Sequence, residues 1–316
     1  MKHCFYNPDE YQQHSDLQYV FAHYLLKRAK LNNSDRVLDI GCGDGKVTAD
    51  IAHQVKSGQV LGTDISEHMI HFANDQYGAK QKNLGFMVME AENNIFKNQF
   101  DVVVSFCCLH WVKKQAQALK GISNALVDGG QAILMVPLRH EELYTAVEST
   151  INNLKWCDYF QNFHNPHVFF DKKQYSDLLF IAGLKSQSME EEVMNYAFNS
   201  TSEMELFLKA WLPHVKCIPK YLHDEFMGDI SAQFQKLVPP AEGKVNMPLR
   251  MLQVCAYKPQ AQPAIIPSLF HHEFDHEIFF NPERDVVSSG YNPPIPVSPI
   301  TDEDEECYYL GKKGYH

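Results

Sequence analysis

The chain has 316 residues, 45% of them hydrophobic, and a formal net charge of −11. The hydrophobic content is typical of a packed soluble protein of one large or two small domains, whereas the acidic balance argues against a nucleic-acid partner, which usually requires a basic excess or stripe. The sequence has neither a signal-peptide pattern nor an apolar run of about 18 residues that could span a membrane, so we expect a cytoplasmic protein.

A helix is predicted first, over 10–30, because apolar side chains recur there at helical spacing ahead of a polar turn. Short apolar runs then alternate with helical segments as far as Pro137. The predicted strands are 36–40, 59–63, 85–89, 101–106 and 131–136, and the predicted helices are 47–53, 67–76 and 115–126. Strands that alternate with helices indicate a parallel, doubly wound α/β sheet.

Beyond Pro137 the chain becomes mostly helical and rich in aromatic residues. Two later runs, 186–198 and 251–257, are predicted to form an antiparallel hairpin that completes the sheet, with a helical segment over 202–237 between them. The predicted fold is therefore a mostly parallel, Rossmann-like sheet of seven strands. We assign 1–259 to this domain, with helical cap segments at about 1–30, 138–180 and 200–240.

The segment 260–316 is predicted to be an extended or disordered tail. Residues 261–316 include seven prolines, ten acidic side chains and three basic ones, a composition that buries little apolar surface. The histidines and acids of 271–276 lack the fixed geometry of a metal site. None of the eight cysteines forms a C-x-x-C pair, so we expect reduced thiols and no bound metal.

The acidic run 301–306 in this tail is most simply a solubilising segment. It also resembles the glutamate-rich secretion tails of bacterial type IV effectors. That alternative would place the protein in a host cell.

A glycine-rich turn follows the first predicted strand. Asp39 precedes Gly41, Gly43 and Gly45, and glycines at this spacing let the chain turn sharply into a helix and let a ligand approach the backbone closely. An aspartate beside such a turn suits a ligand with a positively charged ammonium group. No further glycine follows at the spacing of dinucleotide-binding enzymes.

Acidic residues also follow the next two strands. Asp64 lies about 20 residues after the turn, where a carboxylate can accept hydrogen bonds from both hydroxyls of a ribose; a helix N-cap is the alternative role. Glu90, Ala91 and Glu92 follow the third strand, where a loop can bind the exocyclic amine of an adenine.

Together these motifs resemble those of the class I S-adenosylmethionine-dependent methyltransferases. The resemblance implies S-adenosylmethionine as the cofactor, with Asp39 and Gly41 at its methionine portion and Asp64 at its ribose. The residues expected around the adenine are Ile65, Met69, Glu90, Ala91 and Glu92, although Ile65 and Met69 also fit an ordinary helix core. The other expected cofactor contacts are Cys42, Gly43, Gly45, Ser105 and Tyr11, which could instead be a core aromatic.

The run from Cys107 to Val112 after the fourth strand, together with the segments 62–73 and 212–226, resembles the insect juvenile hormone acid methyltransferases. This resemblance covers about 6–258. The trans-aconitate and malonyl-carrier-protein methyltransferases share much of its first half. The implied acceptor is a carboxylic acid.

Gln18 and Trp111 are the expected acceptor-binding residues, because amide and indole N–H groups are neutral donors that orient a carboxylate without pairing with it ionically. A solvated helix position and core packing are their respective alternatives. An ionised carboxylate needs no general base. His110 could therefore bind the acceptor, serve as a base for a hydroxyl or amine acceptor, or be a hydrogen-bonded turn histidine.

We therefore predict an enzyme that O-methylates a small-molecule carboxylic acid, and the aromatic residues after Pro137 favour an apolar one. One alternative is methylation of a protein or of a carrier-bound acyl group. Another is a catalytically silent binding protein on the same fold.

Overall fold

The computed structural model of the protein describes residues 16–28 and 31–260, except for the side chains of 16–18 and 28. Tyr11 and the predicted tail beyond residue 260 lie outside the described residues, as does the side chain of Gln18. No helix in the described part is long and apolar enough to cross a membrane.

Each of the predicted strands is present. The strands are β1 (Arg36–Ile40), β2 (Gln59–Asp64), β3 (Leu84–Val88), β4 (Phe100–Phe106), β5 (Leu126–Pro137), β6 (Lys185–Phe198) and β7 (Val245–Tyr257). The helices are α1 (Asp16–Arg28), α2 (Lys46–Gln54), α3 (Glu67–Ala73), α4 (Gln115–Ala125), α5 (Glu141–Ile151), α6 (Lys172–Ala182), α7 (Thr201–Trp211) and α8 (His223–Leu237).

The seven strands form one sheet in the order β3–β2–β1–β4–β5–β7–β6. β1 to β5 pair in parallel, and β7 runs antiparallel to both β5 and β6. The predicted fold class is thus confirmed. The strand order reverses between β1 and β4, and in open α/β sheets ligands bind at such a point, beyond the carboxyl ends of the strands.

Strand β7 begins at Val245, before the predicted start at residue 251. Pro248 argues against a strand in the sequence because it has no N–H to donate. The pairing with β5 starts only at Met251, so the earlier part of β7 pairs with β6 alone. A proline fits there because one side of the strand has no partner.

The helical regions after Pro137 build an apolar core separate from those on the two faces of the sheet. Trp156, Phe160 and Phe226 are buried there, and the centroid of the Phe226 ring lies 5.1 Å from that of Trp156 and 5.6 Å from that of Phe160. The predicted helical segment over 202–237 is divided into α7 and α8. Pro213 and Pro219 lie between the two helices and interrupt them.

Candidate functional site

The turn after β1, here called the glycine turn (residues 41–45), depends on left-handed backbone conformations. Gly41, Gly43 and Gly45 have φ angles of +75°, +54° and +82°, which strain any other residue. A Cβ on Gly41 would lie 2.2 Å from the Sγ atom of Cys108, which follows β4. The glycine turn and the turn after β4 are therefore in direct contact.

The Asp64 carboxylate is held at the end of β2 by backbone donors. One oxygen accepts the N–H of Gly43 at 3.0 Å, and the other accepts the N–H of Ser66 at 2.9 Å. The N-cap of α3 is Ser66, whose hydroxyl accepts the N–H of Met69, so the N-cap alternative for Asp64 is wrong. The carboxylate keeps acceptor capacity with which it can bind a ligand hydroxyl.

Asp39 is buried beneath the glycine turn, with 2% of its surface exposed. Its carboxylate accepts the hydroxyl of Thr48 at 2.7 Å. Burial raises the pKa of Asp39 to about 7, against the lowering effect of Thr48, and the charges of Asp64 and Asp44 raise it further. The three carboxylates create a negative potential that favours a cationic ligand.

A cavity of about 750 Å³ lies beside the glycine turn, within the size range of small-molecule sites. Ten of the predicted site residues line it: Gly41, Gly43, Asp64, Ile65, Met69, Glu90, Ala91, Glu92, His110 and Trp111. Four predicted cofactor contacts do not line it: Asp39, Cys42, Gly45 and Ser105. These residues lie at or just beyond the carboxyl ends of β1, β2, β3 and β4.

Two of the residues outside the wall, Gly45 and Ser105, have identifiable structural roles. Gly45 packs so closely against Phe86 and Ala73 that a Cβ would lie 2.8 Å from either side chain. Ser105 donates its hydroxyl to the carbonyl of Ile40 at 2.8 Å. These residues shape the turn from behind the cavity wall, and their assignment as cofactor contacts stays a prediction.

The adenine-side residues form one edge of the cavity. Ile65 is 39% exposed although it is apolar, which does not fit an ordinary helix core and suits a ligand-covered position. Glu92 accepts the backbone N–H of Lys114 at 2.9 Å, and this bond ties the loop after β3 to the start of α4. Glu90 accepts the side-chain amide of Asn93 at 2.6 Å.

The turn after β4 carries the predicted acceptor residues into the cavity. Cys107 has a φ of +51° and donates its N–H to the carbonyl of Met135 at 2.9 Å. The short helical turn Leu109–Trp111 follows and places His110 and Trp111 in the cavity wall. In α1, Phe21 lines the same cavity, one helical turn after Gln18.

The wall of the cavity opposite His110 and Trp111 was not predicted from the sequence as part of the site. It is contributed by residues after Pro137, among them His140, Leu143, Tyr144, Phe163, Phe169, Phe207 and Trp211. We call the part of the cavity enclosed by His110, Trp111, Tyr144, Phe169 and Trp211 the acceptor end. In the sequence, only the aromatic content after Pro137 indicates this end of the cavity.

His110 in the cavity wall and the buried His214 behind it are uncharged near neutral pH. Burial lowers the pKa of His110 to about 3 and that of His214 to about 4. The His110 ring makes no hydrogen bond with the described residues, and its Nδ1 atom is buried, so the hydrogen-bonded turn alternative is not supported. A histidine with so low a pKa is also a weak general base near neutral pH.

S-adenosylmethionine fits the other end of the cavity, next to the glycine turn. The glycines leave the backbone open to the ligand, and Asp64 presents lone pairs at the position suited to a ribose. The buried carboxylates favour the positive sulfonium and ammonium groups of that cofactor.

Comparison with known proteins agrees with this site. Residues 37–130 match a family described as a methyltransferase domain. A juvenile hormone acid O-methyltransferase of Drosophila melanogaster is 27% identical over 277 residues, which cover 83% of this chain and 89% of that protein. The resemblance inferred from the motifs is confirmed.

Two solved structures share the fold. A Bacillus halodurans protein superposes with a TM-score of 0.56 at 17% identity, covering 76% of this chain and 99% of that one. A Haemonchus contortus phosphoethanolamine N-methyltransferase, solved with S-adenosyl-L-methionine, superposes with a TM-score of 0.51 at 19% identity, covering 77% and 53%. At these identities the likeness shows the fold.

Asp64→Asn is expected to weaken S-adenosylmethionine binding by about tenfold or more, because hydrogen bonds to a charged group contribute roughly 1.5–3 kcal/mol. Isothermal titration measures the change in Kd. Asp75→Asn, at an exposed position beyond α3, serves as the control and should bind like the wild type. An unchanged Kd in folded Asp64→Asn would contradict the ribose assignment.

Asp39→Asn is expected to stabilise the cofactor-free protein at pH 8 but much less at pH 5. The pKa of Asp39 is raised from 3.8 to about 7 in the folded state, so the unfolded chain releases this proton first and stability falls between about pH 4 and 7. Asparagine still accepts from Thr48 without a buried charge. Each pKa unit corresponds to about 1.4 kcal/mol.

Urea unfolding of both proteins at the two pH values measures this effect. Asp177→Asn, on the exposed face of α6, controls for the loss of an unrelated charge. A stabilisation of equal size at both pH values would show that Asp39 is not the titrating group.

Proposed function

We propose that this protein, an S-adenosylmethionine-dependent methyltransferase, transfers the methyl group to a carboxylate oxygen of a small, largely apolar acid. The observation that carries the proposal is the chemistry of the acceptor end. Its buried wall consists of aromatic rings and uncharged nitrogens, and it lies directly beyond the contact between Gly41 and Cys108.

Uncharged donors favour a carboxylate that must stay nucleophilic. The Trp111 indole can donate to one oxygen without the strong ionic pairing that would blunt the attack of the other. Four cationic side chains also line the cavity: Lys113, Lys114 and Lys216 are exposed, and Arg250 pairs with Glu191 at 3.1 Å.

This site is less suited to hydroxyl and amine acceptors than to a carboxylate. Such acceptors must lose a proton during or before transfer, and a base with a pKa near neutral assists them. Burial lowers the pKa of both His110 and His140. A carboxylic acid is already ionised at neutral pH and needs no base.

The cofactor supplies an electrophilic sulfonium methyl group when bound. The protein then has two tasks, to align one carboxylate oxygen with that methyl group and to exclude water. Trp111 provides a donor after β4, and Gln18 is proposed to provide a second from α1. The apolar rings of Phe163, Phe169 and Phe207 would enclose the rest of the acid.

The relative from Drosophila supports an acid as the substrate class, since its name states that it methylates juvenile hormone acid. The similarity extends over most of both chains and thus includes the region that builds the acceptor end here.

A methyl-transfer screen tests the proposal. The protein is incubated with S-adenosylmethionine and a panel of aliphatic, terpenoid and aromatic acids, each paired with the corresponding alcohol. We expect methyl esters of one apolar class of acid, no methyl ethers, and a rate at saturating cofactor that stays flat from about pH 6 to 9, because the buried histidines remain neutral. Transfer only to alcohols, or only to acyl groups on a carrier protein, would contradict it.

Trp111→Phe is expected to lower kcat/KM for the acid about tenfold while leaving the Kd of S-adenosylmethionine unchanged. Phenylalanine keeps the aromatic packing and removes the N–H donor, whose loss beside a charged oxygen costs roughly 1.5–3 kcal/mol. Steady-state kinetics and titration separate the two effects. If thermal unfolding shows that the variant is strongly destabilised instead, Trp111 is a core residue.

A further inference from the structure

His167 packs directly against Trp111. The two ring centroids are 4.0 Å apart and the ring planes meet at 82°. The neighbouring Val168 donates its N–H to the carbonyl of His110 at 2.8 Å, and Gln115 donates its side-chain amide to the carbonyl of Val168 at 2.8 Å. These bonds fix the loop that carries His167 against the turn after β4.

Tyr144 is the hydrogen-bond partner of the His167 ring. The Tyr144 hydroxyl lies 2.6 Å from the Nδ1 atom of His167. Asn165 accepts the backbone N–H of His167 through its Oδ1 atom at 3.0 Å, which leaves its amide N–H available as a donor. When the Tyr144 hydroxyl donates to Nδ1, a neutral imidazole carries its single proton on Nε2.

This imidazole stays neutral. Burial, together with the nearby His110 and His214, lowers the pKa of His167 to about 2. Its Nε2 atom is buried and has no hydrogen-bond partner among the described residues. A buried ring nitrogen without a hydrogen-bond partner reduces the stability of the fold. Stability alone therefore does not explain a histidine at this position.

The Tyr144 ring also contacts the Arg139 guanidinium. The Arg139 guanidinium lies 4.7 Å from the centroid of the Tyr144 ring. Arg139 pairs with Glu141 at 3.2 Å and with Glu148 at 2.7 Å. A continuous set of contacts thus runs from α5 through Tyr144 and His167 to Trp111.

We propose that Tyr144 and His167 are positioning residues that hold the Trp111 indole in the orientation that binds the acceptor carboxylate. Tyr144 acts through His167 by fixing its tautomer and ring plane, and His167 acts by its edge-to-face contact with Trp111. Neither residue has to touch the acid. The inference rests on the proposed function, because Trp111 needs this orientation only if its N–H binds the acceptor.

A double-mutant cycle on the full chain tests the inference. Tyr144→Phe and His167→Phe each remove the hydrogen bond that fixes the ring plane at position 167. Each is expected to lower kcat/KM for the acid about tenfold, with the Kd of S-adenosylmethionine unchanged. The double variant should be no worse than His167→Phe alone, because Tyr144 acts only through His167. Tyr159→Phe is the control; Tyr159 contacts Trp156 outside the cavity wall and its variant should retain wild-type kinetics.

The tautomer gives a second readout that does not depend on turnover. In nitrogen-15 spectra of the histidine-labelled protein, His167, identified by its absence in His167→Phe, should be protonated on Nε2 and not on Nδ1. Tyr144→Phe should lose this preference. A proton on Nδ1 in the wild type, additive losses in the cycle, or wild-type kcat/KM in both single variants would overturn the inference.

The two proposals fail in different ways. A wild-type protein that binds S-adenosylmethionine but methylates no acid removes the proposed function and with it the role of Trp111. A wild-type protein that methylates an acid, with variants that do so equally well, removes only the positioning role of Tyr144 and His167.

Discussion

The absence of a side chain at Gly41 is the constraint on which the rest of the site depends. Because Gly41 has no Cβ, Cys108 can lie against the glycine turn, and the turns after two neighbouring parallel strands come into contact. One turn shapes the cofactor end of the cavity and the other carries Trp111. The separation of the reacting groups is therefore set by the spacing of β1 and β4. Two paired strands fix this separation more rigidly than two mobile loops would.

Burial shifts pKa values in opposite directions at the two ends of the cavity. At the cofactor end it raises the pKa of Asp39, and the neighbouring carboxylates raise it further, so a cationic ligand relieves an unfavourable arrangement. At the acceptor end it lowers the pKa of His110 and His167 and leaves uncharged nitrogens. An anionic acceptor can thus be oriented there without a buried ion pair, which would incur a large desolvation penalty.

Much of the fold and of the site could be predicted from the sequence, because the chemistry of neighbouring residues determines it. Short apolar runs that end at glycine or aspartate predicted the sheet, and the position of Asp64 after β2 predicted its place in the cavity wall. The bond between the Asp39 side chain and Thr48 could not be predicted, because the spacing of the turn does not show where that side chain lies. Tyr144 and His167 were missed because only tertiary packing of the segments after Pro137 brings them to Trp111.

The most direct test of the account is a crystal structure of the protein with S-adenosylhomocysteine and the acid that the screen identifies. We expect the homocysteine sulfur beside the contact between Gly41 and Cys108, with one carboxylate oxygen facing it and the other within hydrogen-bonding distance of the Trp111 indole nitrogen. An acid bound away from Trp111, or a carboxylate paired with a lysine or arginine of the cavity wall, would contradict the account.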